Sequence, residues 1–342
     1  MSNKAALLIA AKARPLVIEN VPLMKPEKNQ ILIKSAAVAI NPVDWMVQDM
    51  GIIIQSYPIV LGEDVAGEVV EVGEEVSRFK PGDRVIAHCI YLVSSKVEHG
   101  AFQHYTIAVA DLAAKLPSWI PFEEGAVLPL AISTAASGLY TKNFLHLSYP
   151  STDSRPTGRS ILVYGASSSV GAVTIQLAIA SGLQVVATAS SHHHEWIRSL
   201  GVFMVLDYKD TEIVEKLISA LKSAGEPVGA YDAIGLPSTR HICATVLEQF
   251  GGGFIASTLG MENDERLPEN VNAGYCFAPA IYTKEPEIAK AVWGEYVPKA
   301  LENGSLKCKP DPLVMGSGLE SIQAALDKHK EGVSGRKVVV SL

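Results

Sequence analysis

Between Arg159 and Glu195 the chain carries no Asp, Glu, Lys or Arg. A stretch of that length suffices for a single bilayer-spanning helix, which needs about 20 apolar residues. The punctuation inside it points instead to a buried sheet. Ile161–Tyr164 is a short β-prone run, Gly165 to Ser169 a turn, Val170 to Ser181 a helix closed by Gly182, and Leu183 to Ala189 is β-prone again. Strand, turn, helix, strand is a βαβ unit, and its strands lack charge because a parallel sheet is covered on both faces. The rhythm continues through a helix near His194 to Leu200, a strand Phe203 to Leu206, a helix Thr211 to Ala224, a strand Tyr231 to Ile234, a helix Ser238 to Phe250 and a strand Phe254 to Thr258. Residues from about 160 to 260 therefore read as a doubly wound α/β sheet with right-handed crossovers.

That sheet is not the whole chain. At 342 residues the sequence exceeds the usual reach of one core. Before it, Gln30 to Ile40, Val65 to Val72 and Arg84 to Ala87 are short, Val- and Ile-rich runs separated by Gly and Pro, an all-β pattern. Helix signals begin near Pro121, and Ser148 to Gly158, with two prolines, is a loop. After the sheet come a helix near Pro286 to Glu302, another near Leu319 to Lys330 and a strand Lys337 to Ser341, too little for a third domain. The economical arrangement returns this tail to the N-terminal strands, giving a split domain with the α/β unit inserted.

Composition narrows the partners. A 48% hydrophobic chain can bury a sizeable core and is too apolar for disorder as its main state. Its formal charge of -7 offers no field for nucleic acid. Cys89, Cys243, Cys276 and Cys308 form no C-x-x-C pair, which argues against a disulfide framework or a zinc knuckle and for the cytoplasm. The apolar run Ala5 to Ala11 is about half a membrane span and reads as a first strand, so no membrane partner is expected.

The turn Gly165-Ala166-Ser167-Ser168-Ser169-Val170-Gly171 is small throughout. In a dinucleotide site such a turn brings backbone N–H groups against the pyrophosphate at a helix N-terminus. Of the G-x-G-x-x-G glycines only Gly171 is present, with Ala166 and Ser168 at the other two places, so the alternative is an ordinary tight turn. Its setting after a strand and before a helix favours phosphate, with Ser167, Ser168, Ser169, Val170 and Gly171 as contacts. An NAD site carries Asp or Glu at the end of the second strand. Here that place reads Ser190-Ser191-His192-His193-His194, with no carboxylate until Glu195. Ser190 and His193 leave room for a 2'-phosphate, and Tyr208 is placed to pack beside the adenine or bond that phosphate, so NADPH is expected over NADH. The three histidines read equally as a solvated loop.

The run Gly62-Glu63-Asp64-Val65-Ala66-Gly67-Glu68-Val69-Val70-Glu71-Val72-Gly73, followed by Phe79-Lys80-Pro81-Gly82-Asp83-Arg84-Val85, resembles the signature of medium-chain dehydrogenase/reductases. With Asn41-Pro42-Val43-Asp44-Trp45, Gly100-Ala101-Phe102, Ser133-Thr134-Ala135 and Ser334-Gly335-Arg336-Lys337-Val338, the resemblance spans essentially the whole chain. It implies an α/β protein with a split GroES-like β-rich catalytic domain (1–128 and 280–342) and a Rossmann NADPH-binding domain (129–279). Zinc-dependent members carry Gly-His-Glu where this chain has Gly62-Glu63-Asp64, and a cysteine where it has Asn41, so no metal is expected. That points to the zinc-independent quinone oxidoreductase and enoyl reductase branch. The Ser148–Gly158 insert, the Val163-Tyr164-Gly165 turn entry and Asp207-Tyr208 look most like fungal trans-acting enoyl reductases that serve polyketide synthases in secondary metabolism. Those often have Lys where this chain has Met46.

The implied reaction is hydride transfer from NADPH to the β-carbon of an alkene conjugated to a carbonyl, then protonation of the enolate. By position in the family, Asn41, Val43, Asp44, Thr134, Leu259 and Arg336 join the cofactor site. Asn41 and Asp44 otherwise organise a turn around Pro42, and Thr134 caps a helix. Trp45, Met46, Tyr91, Tyr140, Tyr275 and Phe277 are expected to line the pocket for a small-molecule or carrier-bound enoyl substrate. Tyr91 and Tyr140 are candidate proton donors, although a buried tyrosine is more often a packing residue, and the catalytic residue itself is not identified. Two other readings stay open: a free-standing quinone or alkenal oxidoreductase, and a non-catalytic NADPH-binding member.

Overall fold

The computed structural model describes residues 3–261 and 266–342, so Met1 and Ser2, at the start of the expected first domain segment, lie outside the described residues. The chain divides into two compact units, one of Met1–Leu130, Leu301–Gly304 and Cys308–Leu342, the other of Ala131–Ala300 and Ser305–Lys307.

The second unit is built on a six-stranded sheet of β1 (Arg159–Tyr164), β2 (Gln184–Thr188), β3 (Met204–Leu206), β4 (Glu226–Asp232), β5 (Gly253–Ser257) and β6 (Val271–Tyr275). Every pairing is parallel and the order is β3-β2-β1-β4-β5-β6. Ile161, Leu162 and Val163 are buried on both faces, which is why the charge-free stretch exists. Its helix α1 (Ser169–Ala180) is buried nearly all round, and no helix among the described residues is long and apolar enough to cross a membrane. Helix α2 (Ile213–Ala224) buries Ile213, Leu217, Ala220, Leu221 and Ala224 and leaves Val214 and Ile218 half-exposed. Helix α3 (Pro237–Glu248) covers β4 and β5.

Two elements depart from expectation. The sheet has a sixth strand, Val271–Tyr275, in a segment the sequence reading ended before. Residues 280–300, assigned above to the first domain, belong to the second unit, which the tail leaves only near residue 301.

In the first unit a seven-stranded sheet centres on Gln30–Ala39, which pairs antiparallel with Asp64–Val72 and Tyr105–Val109. The last strand, Arg336–Ser341, pairs antiparallel with Gln30–Ala39, so the domain is split as the sequence implied. Gly67 lets these strands close: a Cβ there would lie 2.1 Å from the Lys34 carbonyl oxygen.

Candidate functional site

The second unit offers a cradle at the carboxyl end of β1. Gly165 takes φ +85°, and its N–H donates to Thr188 Oγ1 on β2 at 3.1 Å. Ser168 then caps α1: its hydroxyl donates to the Gly165 carbonyl at 2.9 Å and accepts from the Gly171 N–H at 3.0 Å. The N–H groups of Ser169 and Val170 lie in the first turn, where no intrahelical carbonyl reaches them. A Cβ on Gly171 would sit 2.3 Å from the Gly165 carbonyl oxygen, so helix and turn touch backbone to backbone. Ser167 to Val170 stay partly exposed. A dinucleotide pyrophosphate fits this arrangement: small residues, a glycine that a Cβ would fill, and open N–H groups at the positive end of a twelve-residue helix.

At the end of β2, the Ser190 hydroxyl donates to the Tyr208 hydroxyl at 3.3 Å, at a site open to solvent. His193 is buried, and its Nδ1 accepts from the Trp196 indole at 3.2 Å. The sequence reading found no carboxylate here, and the fold supplies one: Asp207 accepts from the N–H of Ser191 at 3.1 Å and of Lys209 at 2.9 Å. Those bonds hold its carboxyl below the usual range. Only the pairing of β2 with β3 brings it there.

At the carboxyl edge of β5 and β6, Leu259 is exposed, Tyr275 is 52% exposed, and its ring lies 6.4 Å from that of half-buried Phe277. Tyr140 does not join them. It is sealed inside the unit, its hydroxyl 3.0 Å from Ser181 Oγ, and is a packing residue. Thr134 is buried too, and its carbonyl accepts from the Tyr231 hydroxyl at 2.7 Å.

The first unit holds a buried polar cluster. Three carboxyls, Asp44, Glu63 and Asp64, are all buried. The Lys337 ammonium donates to Asn41 Oδ1 at 2.5 Å and pairs with Asp64 at 2.9 Å. Asn41 Nδ2 donates to Asp64 at 2.8 Å, and the other Asp64 oxygen accepts from the Leu130 N–H at 2.6 Å. Asp44 accepts from the N–H groups of Asn41 (2.8 Å) and Gly62 (3.1 Å) and from the Tyr91 hydroxyl (3.2 Å). Burial, with Glu63 nearby, pushes the Asp44 carboxyl up to about 8. Burial also raises Glu63, which faces His88 Nε2 at 3.6 Å.

This corrects several expectations. Asn41, Asp44 and Tyr91 are closed to solvent: Asp44 ties the start of the helix Pro42–Met50 to the Gly62 turn, Tyr91 bonds Asp44, and the Asn41 side chain is taken up by Asp64 and Lys337. Trp45 is half-buried and donates to His329 Nδ1 at 3.1 Å, which orients its ring toward the helix Ile322–Glu331. Arg336 donates to the Pro312 carbonyl at 2.7 Å on the neighbouring strand. Val43 and Met46 stay partly exposed on the helix. The sequence reading missed Lys337 and Asp64 as partners, because nothing local ties residues so far apart.

Residues 27–118 match the alcohol dehydrogenase GroES-like domain. Over the whole chain, the sequence is 39% identical to Dehydrogenase orsE of Emericella nidulans, across 99% of that protein. It is also 39% identical to Trans-enoyl reductase himH of Aspergillus japonicus, covering 99% of this chain and 97% of that one. The fold matches the crystal structure of CurK enoyl reductase with a TM-score of 0.75 at 23% identity, over 99% of both chains.

Proposed function

The chain belongs to the medium-chain dehydrogenase/reductase family, and from that premise we propose that it is a zinc-independent, NADPH-dependent enoyl reductase of the cytoplasm that acts in trans on an enoyl thioester carried by a polyketide synthase. Cofactor binding belongs to the unit with the parallel sheet, and catalysis to its split partner domain.

One observation carries the choice of reaction: the Lys337 ammonium against Asp64 and Asn41. These are the positions where zinc-dependent relatives place metal ligands or their neighbours, and a buried cation there repels a second one. Without a Lewis acid the site has no evident means of stabilising an alkoxide. A conjugated alkene needs none, since its developing charge spreads into an enolate. NADPH would supply the hydride. The chain's residues hold it: the Ser168–Gly171 turn takes the pyrophosphate, and the exposed Ser190 and Tyr208 hydroxyls suit a 2'-phosphate. Asp207 beside them is engaged by two backbone N–H groups, which leaves less of its charge to repel that phosphate. Tyr275 and Phe277 suit an apolar acyl group. The carrier-bound substrate is supported by the full-length likeness to a trans-enoyl reductase, and the compartment by four unpaired cysteines.

The test compares NADPH oxidation by the purified protein with an enoyl pantetheine thioester and with a small enone. The thioester should give the higher kcat/KM, by about tenfold or more. A preference for the small enone would make it a free-standing quinone or alkenal reductase, and no turnover with either would leave a non-catalytic NADPH binder.

A further inference from the structure

Helix α3 carries a charged side chain that nothing described so far uses. Arg240 is wholly buried, and its guanidinium faces oxygens of two separate segments. Nη1 donates to the Gly235 carbonyl at 2.5 Å, the Ser257 hydroxyl at 2.9 Å and the Leu259 carbonyl at 3.1 Å, while Nη2 donates to the Gly260 carbonyl at 3.1 Å. Burying a charge is costly unless its donors are matched. An aliphatic side chain would fill the space without that cost. What the guanidinium adds is a rigid fork with five donors, able to hold several carbonyls at once.

The segments it holds have a definite place in the sheet. Gly235 follows β4; Leu259 and Gly260 follow β5. In a sheet of this order a dinucleotide lies outside the carboxyl ends of the strands, one mononucleotide half on each side of the order reversal. The Ser168–Gly171 turn and Ser190 belong to the β1-β2-β3 half. Arg240's carbonyls belong to the β4-β5-β6 half.

We propose that Arg240 is a positioning residue for the nicotinamide half of the cofactor: it ties the turn leaving β4 to the segment leaving β5, and so fixes the backbone on which that half lies. The inference rests on the functional reading above. Two further features fit it. Gly235 has φ +78°, and a Cβ there would lie 2.7 Å from the Leu259 nitrogen, so the segments meet backbone to backbone and slack in one moves the other. Asp232 secures the same turn, accepting from Ile234 N–H (3.1 Å), Gly235 N–H (2.9 Å) and the Thr239 hydroxyl (2.7 Å). Ile234, Leu236 and Leu259, on the tied segments, keep apolar side chains exposed at this edge.

A purely structural arginine would weaken all binding together, whereas a positioning role divides the cofactor. Dissociation constants are measured for NADPH and for 2',5'-ADP, which carries only the adenosine half. Arg240→Met should weaken NADPH about tenfold or more and leave 2',5'-ADP within about twofold, with Arg240→Lys between Met and wild type. Equal losses for both ligands, or no loss for NADPH, would overturn the proposal. If Arg240→Met does not fold, Ser257→Ala removes one acceptor of the same clamp, with about a threefold loss expected for NADPH alone. Equal or absent losses there overturn it as well. Wild-type titrations with NADPH and NADH come first and select the pair to be read, ADP replacing 2',5'-ADP if NADH binds better. A wild type that binds neither dinucleotide refutes the functional reading and this inference with it, whereas a binding wild type with undivided losses refutes Arg240 alone.

Discussion

Asp44 shows how a residue type read correctly can serve a different end. The sequence reading offered contact with a cofactor or organisation of the turn around Pro42, and the buried carboxyl is bonded in the manner of the second. Its surroundings set a testable pH dependence. With the folded carboxyl raised to about 8, mainly through burial, from an ordinary 3.8 in the unfolded chain, the native state keeps a proton that the unfolded chain loses in between. The contribution of this group to stability is therefore full below about pH 4 and is lost as pH rises toward 8. When the acid is protonated, the Tyr91 hydroxyl can turn from donor to acceptor at the same 3.2 Å contact. Urea melts of Asp44→Asn should show a flatter stability profile between pH 5 and 8 than the wild type, whatever the offset between the two curves; parallel profiles would show that Asp44 does not titrate there. The second prediction concerns Ser190. Its hydroxyl and that of Tyr208 are side-chain oxygens read as a 2'-phosphate seat, so Ser190→Asp sets like charge beside that phosphate. NADPH should bind about tenfold more weakly, roughly 1.4 kcal/mol, with NADH little changed. Equal effects on the two would place the phosphate elsewhere.

At the scale of elements, the turn between β1 and α1 shows how a depleted glycine motif keeps the geometry of a phosphate turn. Gly165 makes the bend, Ser168 replaces a glycine with a cap, and Gly171 preserves the close approach. Gly171→Val would drive its side chain into the Gly165 carbonyl 2.3 Å from the Cβ position, so NADPH affinity should fall about tenfold or more, together with thermal stability. Ser168→Ala, which loses only the cap, should cost about 1 kcal/mol of stability. Unchanged fluorescence titrations with NADPH for both variants would mean the turn is structural. The elements legible in the sequence were those buried on two faces, because there the apolar run is continuous. Val271–Tyr275 and Asp311–Ser317 were not legible: each is an outer strand of its sheet, and their exposure follows no apolar alternation. The polar cluster was hidden for another reason. Asp64 and Lys337 meet only because Arg336–Ser341 lies beside Gln30–Ala39, which in turn pairs with Asp64–Val72, and no local pattern encodes that neighbourhood. Arg240 was hidden likewise, reading as an ordinary polar residue of an amphipathic helix until its fork is seen on four oxygens.

At the scale of the whole molecule, the return of the last strand to the first sheet does more than close a domain. It delivers Lys337 into the cluster with Asp64 and Asn41, so the chain's own tail supplies the buried cation of that cluster. It bears on the proposed chemistry. Reduction of a carbonyl to an alcohol develops a localised alkoxide, which needs a metal, a cation or a proton donor beside it, whereas reduction of a conjugated alkene develops an enolate whose charge is shared with the carbonyl oxygen. The buried ammonium is already spent on Asp64 and Asn41 and cannot serve a substrate oxygen without leaving an uncompensated carboxylate, at a cost of several kcal/mol. The enolate route therefore carries a specific isotope pattern. With NADPH deuterated at the transferred position, the label should appear on the β-carbon of the product, while a run in deuterated water should place solvent deuterium on the α-carbon. Mass spectrometry and proton NMR of the product distinguish the two sites. A label on a carbinol carbon with the alkene intact would identify a carbonyl reductase, in which an alkoxide is stabilised although the Lys337 ammonium is already engaged.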